Sequence, residues 1–419
     1  MRLVTKSLVA TGAACTVLLA GCSSSGGGGG STTADGELSG EVTMWTYPVI
    51  ADEAAHQAFW DKQVEAFTAE HPDVTVKVEI YPWAGRDESL TTAIASQTAP
   101  DAVYLIPDQL AVYSSSIEPI DDYLSDEHKD DLLANVKDSI TVDGQMLGSP
   151  ILTSANPLVC DKAAFDAIGA TEYPTTWDDL MDVAPDLKAQ GIYATNYWGS
   201  PEVTLNMTFY PLLWQAGGDV FSEDGSEVAF DSKEGEQALQ YLVDLNEGGY
   251  LEPDLITTTP SIEQTALAQN KVACTWQSGP ADVEPYWGTE NIVIQPPLTE
   301  SETIGYGTVG SLSMLKGSDA KDATGAWIDF VTSAEPVTEF VTTAKMFSPL
   351  TSTGELYADD PVYGAIEKTI PDTTVGPVNE HAREVMGVLA PEIQAALLGK
   401  KSAEQALKDA ASSADAMLG

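Results

Sequence analysis

Little in this chain is equipped to make or break bonds. No Gly-x-Ser-x-Gly elbow, His-Glu-x-x-His pair or Walker loop occurs. The four histidines (His56, His71, His128 and His381) lie far apart without metal-ligand spacing. No catalytic residue, metal or cofactor is therefore expected. Thiol chemistry is confined to four cysteines, of which Cys160 and Cys274 each sit in an apolar, strand-like run. Those two can pair if the runs are neighbouring strands, or remain as buried thiols; the sequence leaves both open. Rings are plentiful, with nine Trp and fifteen Tyr. Flat rings suit the apolar face of a ligand, and Asp, Asn and Gln suit a polar edge.

Such side chains need a frame, and the alternation of apolar residues describes one. Val42 to Tyr47 reads as a strand, Ala51 to Glu70 as a helix closed by His71-Pro72, and Val74 to Ile80 as a second strand. A helix over Asp87 to Ser96 and a strand over Asp101 to Ile106 follow. This order predicts parallel crossovers, with ligands held beyond the carboxyl ends of the strands. Tyr47, Trp83 and Asp108 then share one rim. The pattern restarts with a strand at Leu158 to Asp161, a helix from Lys162 to Ile168 and a capped helix from Thr176 to about Gln190. Helices are expected over Leu205 to Gln215 and Ser261 to Gln269, strands over Lys271 to Trp276 and Ile304 to Leu315, and four helices after Ala320.

Composition narrows the partners. With 19 Lys and Arg against 64 Asp and Glu, the formal charge of −45 repels nucleic acid and anionic lipid. The acids are scattered, as on a solubilising exterior. At the start, Arg2 and Lys6 precede an apolar run from Leu8 to Leu19, too short to span about 30 Å of hydrocarbon. Leu18-Leu19-Ala20-Gly21-Cys22 resembles the lipobox of bacterial lipoproteins. That resemblance implies a signal peptide over 1–21, lipid on Cys22, and a domain held outside the cell membrane by the Gly/Ser tether of 22–40.

Further motifs carry a second resemblance. They include Val64-Glu65-Ala66-Phe67 running to His71-Pro72-Asp73-Val74, Ala99-Pro100-Asp101-Ala102-Val103-Tyr104, and Leu158-Val159-Cys160-Asp161-Lys162. Thr176-Trp177-Asp178-Asp179-Leu180, Leu213-Trp214-Gln215-Ala216-Gly217-Gly218 and Gly325-Ala326-Trp327-Ile328-Asp329-Phe330 add to it. Together they resemble the carbohydrate-binding extracellular solute-binding proteins of ABC importers, the group that includes maltose-binding protein. The resemblance implies an α/β fold of two lobes, each a mostly parallel sheet flanked by helices, joined by a hinge. The N-terminal lobe would span 41–149 with about 298–345, the C-terminal lobe 150–297, and a helical tail over 346–419 would pack on both. Hinge crossings are expected near Ser149-Pro150 and Pro296-Pro297-Leu298. The implied partners are an oligosaccharide, the permease subunits and, through Cys22, the membrane; the protein would be a monomer.

A pyranose has apolar C–H faces and an edge of hydroxyls, which assigns roles to the matched positions. Trp45 and Tyr47 end the first strand, Trp83 lies in the loop after the second, and Asp108 and Gln109 follow the third. Asn156 lies in the hinge, Tyr197 and Trp198 end one strand, Trp276 and Gln277 end another, and Tyr306 lies on the return crossing. Two departures stand out. Gln109 replaces an Arg, and Gly279-Pro280-Ala281 lacks the family's stacking ring, which Trp276 or Trp287 would replace. Trp60, Trp177, Trp214 and Trp327 lie on helical apolar faces and are assigned to the core. Arg383, a rare cation beside His381, either reaches the cleft or, as the preferred reading, pairs with a surface acid. Two rivals remain: a peptide or polyamine receptor, which an acidic cleft would suit, and a glycoside hydrolase, which needs two carboxylates about 5–9.5 Å apart.

Overall fold

The computed structural model describes residues 38–418, so the leader, Cys22 and nearly all of the tether lie outside the described residues. The opening strand Gly40–Thr46 buries Val42 and Met44 completely and pairs in parallel with Val74–Ile80. Between them runs the helix Glu53–Glu70. Asp52 caps it by accepting from the Ala55 amide at 2.7 Å, and Phe59, Trp60 and Phe67 form its inner face. The third strand, Ala102–Leu105, pairs in parallel on the other side of the first. The expected βαβαβ unit is thus present.

Beyond it the parallel run stops. Val309–Leu315 joins Ala102–Leu105 in antiparallel fashion, and Ile117–Glu118 and Ser149–Thr153 pair antiparallel with Val309–Leu315. A strand that returns from elsewhere in the molecule needs no helical crossover, so nothing forces it to be parallel. The second sheet has the order Ile292–Gln295, Leu158–Asp161, Val272–Thr275, Tyr193–Thr195, and only its last pair is parallel. In it Cys160 faces Cys274 across neighbouring strands, Cα atoms 4.0 Å apart, and the two are joined as a disulfide.

Each sheet has its own core. The first gathers Val42, Trp60, Leu105, Ile151, Leu312 and Trp327; the second gathers Phe165, Leu180, Phe209, Leu213, Leu242 and Leu298. The last two helices, Ala382–Leu397 and Ala403–Leu418, bury Val385, Leu389, Ala406 and Leu407 in the second core. The chain passes between cores along three adjacent segments. Ser154 donates its amide to Thr308 O at 2.9 Å, Asn156 to Tyr306 O at 2.8 Å, and Gly307 to Thr374 O at 3.0 Å. A Cβ on Gly307 would lie 2.2 Å from the Ser154 carbonyl oxygen, so the close approach of two crossings requires glycine there.

Local differences have local causes. The helix expected over Leu205 to Gln215 starts only at Tyr210, with Pro211 in its first turn, where the missing N–H costs nothing. Ser261 to Gln269 forms two separate 3-10 turns, Ile262–Gln264 and Leu267–Gln269, because Thr265 is extended and its hydroxyl donates to Ile262 O. Ile304 to Leu315 is two strands, Gly305–Tyr306 and Val309–Leu315, broken at the hinge. Trp60, Trp177, Trp214 and Trp327 are all buried.

Candidate functional site

The first strand ends at Thr46, and the chain then turns out of the sheet with Tyr47 nearly sealed. Trp83 stacks on it, ring centroids 5.1 Å apart and planes 27° from parallel. Tyr104, from the third strand, meets Trp83 edge-on at 5.9 Å. Trp83 donates Nε1 to Pro48 O at 3.0 Å, which fixes the indole. At 40% exposure it is the most open tryptophan among the described residues. Burial drives the Tyr47 hydroxyl up to about 12, so it stays protonated at any physiological pH.

Charge is arranged around these rings. The guanidinium of Arg86 lies 5.0 Å from the Trp83 ring and 5.9 Å from Tyr47, a cation–π placement. Arg383 reaches the same place from the helix Ala382–Leu397. Its Nη1 lies 2.7 Å from Asp87 Oδ2 and its Nε 2.9 Å from Asp108 Oδ2. Trp83, Arg86, Asp87, Glu88 and Arg383 line a cavity of about 450 Å³. Arg383 reaches it from a helix packed in the second core and the other lining residues follow the second strand of the first sheet, so it lies across the interlobe cleft.

The assigned residues divide. Tyr47, Trp83 and Asp108 do share one rim, and Tyr306 lies close enough that the charges of Asp108 and Arg86 bear on its hydroxyl, which burial pushes up. Tyr306 also shares with Asn156 and Trp276 a gap of about 10 Å³, the size of one water. Trp276 is buried, its Nε1 donating to Thr208 O at 3.2 Å. Trp198 is half-buried, its amide donating to Gln277 Oε1 at 2.9 Å.

Four assignments are corrected. Trp45 stands opposite Glu79 in register, donates Nε1 to it at 2.9 Å and packs on Tyr81, away from the other rings. Tyr197 is a core residue, 1% exposed, with its hydroxyl pushed up by burial. Gln109 is buried and fully engaged: Oε1 accepts from the Ile106 amide and Nε2 donates to Asp87, so it positions Asp87 rather than meeting a ligand. Gln277 is a brace, its Nε2 donating to Asn196 O while Oε1 holds Trp198. Trp287 likewise is buried, donating to Leu267 O. Sequence reasoning missed Arg86 beside the rings and preferred a surface acid over the cleft for Arg383. Their rarity was the available signal, since Arg2, Arg86 and Arg383 are the only arginines in the chain.

Two other arrangements were not legible. His128 lies with Nδ1 2.8 Å from Asp329 Oδ1 and Nε2 3.3 Å from Ser149 Oγ, the order of an acyl-transfer triad. Ser149 is wholly buried and shares its hydroxyl with Thr332 at 2.7 Å, so no substrate carbonyl can reach it. The second is a crevice of about 1060 Å³ whose walls include Asp143 from the first lobe and Asp219, Glu223, Asp224 and Glu302 from the second. Its rings, Trp214 and Phe221, are nearly covered.

A cleft between two α/β lobes, with a braced, exposed indole and paired polar groups, suits a protein that captures a small solute. The chain belongs to the bacterial extracellular solute-binding protein family, whose model matches residues 51–338. A protein of Brucella abortus (strain 2308), named only as a binding protein, is 25% identical over 91% of this chain and 94% of its own. The lactose-binding protein of Rhizobium radiobacter is 26% identical over 45% of this chain and 44% of its own. The crystal structure of the cyclic alpha-maltosyl-1,6-maltose binding protein from Arthrobacter globiformis superposes with a TM-score of 0.78 at 22% identity, covering 91% of this chain and 99% of that one.

Proposed function

We propose that this protein is a lipid-anchored capture subunit of an ABC importer, holding an oligosaccharide between its lobes and presenting it to the permease. The observation that carries the reading is the exposed indole of Trp83, backed by Tyr47 and Tyr104 and flanked by Arg86, at a cavity both lobes line. A sugar ring would lie on that indole. The N–H groups of Arg86 would take its hydroxyls, and Asp108, whose Oδ1 is buried without a hydrogen-bond partner, would join them only as the lobes move. The names of the Rhizobium and Arthrobacter relatives support a sugar as the class of ligand. Lipid on Cys22 would keep the lobes at the membrane. The hinge would be the three crossings at 153–156, 305–308 and 373–374, with the last two helices moving with the second lobe.

Binding rather than hydrolysis is supported by the two carboxylates that Arg383 holds beside the rings. Asp87 and Asp108 are both held by Arg383, so neither is placed as a free proton donor to a glycosidic oxygen. A second reading, a polyamine receptor, draws on the acid-walled crevice beside Asp143 and Asp219. A thermal-shift screen of di- to tetrasaccharides, peptides and polyamines separates the two. Ligand at 100 times its dissociation constant stabilises by about 2.7 kcal/mol. A shift with a sugar supports the first reading, and a shift with polyamines alone overturns it.

A further inference from the structure

Only two arginines fall within the described residues, Arg86 and Arg383, in a chain of 64 acids, and both line one cavity. Arg383 is rooted in the second core, where its neighbours Ala382 and Val385 are buried. Its guanidinium ends in the first lobe. It meets Asp87, in the first turn of the helix Arg86–Ser96, and Asp108, in the first turn of the helix Pro107–Tyr113. The first-lobe half is fixed in advance, because Gln109 donates to the other oxygen of Asp87. Among the described residues every other ion pair stays within one lobe. Two lobes of a chain carrying −45 repel one another across the cleft, and a cation seated on two opposing carboxylates offsets that repulsion. The fork of an arginine suits this better than a lysine, since it bonds both acids at once.

We infer that Arg383 is a cross-cleft tie that sets the balance between open and closed forms of the protein before any ligand arrives. The inference rests on the reading that the lobes close about the cleft, and it is independent of which solute they close on. Removing the tie lowers the fraction of protein in the closed form, and the apparent affinity falls by that fraction. Both pairs are partly exposed, so the effect is moderate, about three- to tenfold in Kd.

Small-angle scattering on the secreted chain without ligand tests it directly. R383Q is expected to increase the radius of gyration, D87N/D108N to increase it equally from the other lobe, and R383K to fall between R383Q and the parent. An unchanged radius in R383Q, or a change in R383Q that D87N/D108N does not reproduce, overturns the tie. The sugar reading fails separately: if the radii shift as stated while no sugar binds any variant, the tie stands and the ligand class falls.

Discussion

Trp45 and Trp83 show how one residue type serves two ends. Trp45 lies inside a strand, where its register partner Glu79 takes the indole N–H and leaves it nothing to offer a ligand. Trp83 lies in a loop, braced by Pro48 and Tyr47 and 40% exposed. W83A is expected to weaken sugar binding by about tenfold or more, the loss of one stacked ring, about 1.4 kcal/mol. Thermal stability should hardly move, since the side chain is open. W45F, measured by the same calorimetric titration, should leave affinity unchanged; equal losses in both variants would contradict the division. The rings were visible in the sequence, but the partner of Trp45 was not, because register is set by a strand some thirty residues away. Glu252 illustrates a cost borne by the fold. It is 8% exposed, one oxygen accepts from the Ala266 amide, the other has no partner, and burial raises its carboxyl above the ordinary range. A raised carboxyl contributes most below the ordinary glutamate value and loses that contribution as pH climbs through the raised one. E252Q should therefore stabilise the protein in urea at pH 7, by about 1 kcal/mol, and the gain should vanish below about pH 4. A variant that is less stable than the parent at pH 7 would refute this.

Elements were legible where local chemistry fixes their ends. Thr176 and Asp179 form a reciprocal cap that starts the helix Trp177–Ala189, and Gly191, at φ 76°, lies just beyond its end. The helix Lys162–Ile168 ends on Gly169 for the same reason. Pairing was less legible, since it depends on which strands the hinge brings back. The antiparallel seat of Val309–Leu315 in the first sheet belongs to that class, as does the meeting of Cys160 with Cys274. Their bond closes a loop of 114 residues. In the chain-entropy account a loop of that length contributes about 4–5 kcal/mol, so C160A/C274A should lose stability on that scale in denaturant melts run without reductant. Loss of less than about 1 kcal/mol would mean that the second sheet holds itself together without the link.

At the scale of the molecule, element order showed two α/β units in succession, and the two-lobe plan came from the family resemblance of the motifs. The sequence did not carry the arrangement across the cleft, which joins residues as distant as Asp87 and Arg383. Nor did it distinguish the ring-backed cavity from the acid-walled crevice, both of which draw residues from each lobe. These two sites make opposite demands on a ligand: an apolar face for one, positive charge for the other. The central claim is that a sugar is gripped between the lobes on the exposed indole of Trp83. A crystal structure of the protein with the saccharide that gives the largest thermal shift tests it most directly. The account predicts a sugar ring stacked within about 4 Å of that indole, in contact with Arg86 and Asp108. Sugar bound away from Trp83, or lodged among the carboxylates of the neighbouring crevice, would contradict it.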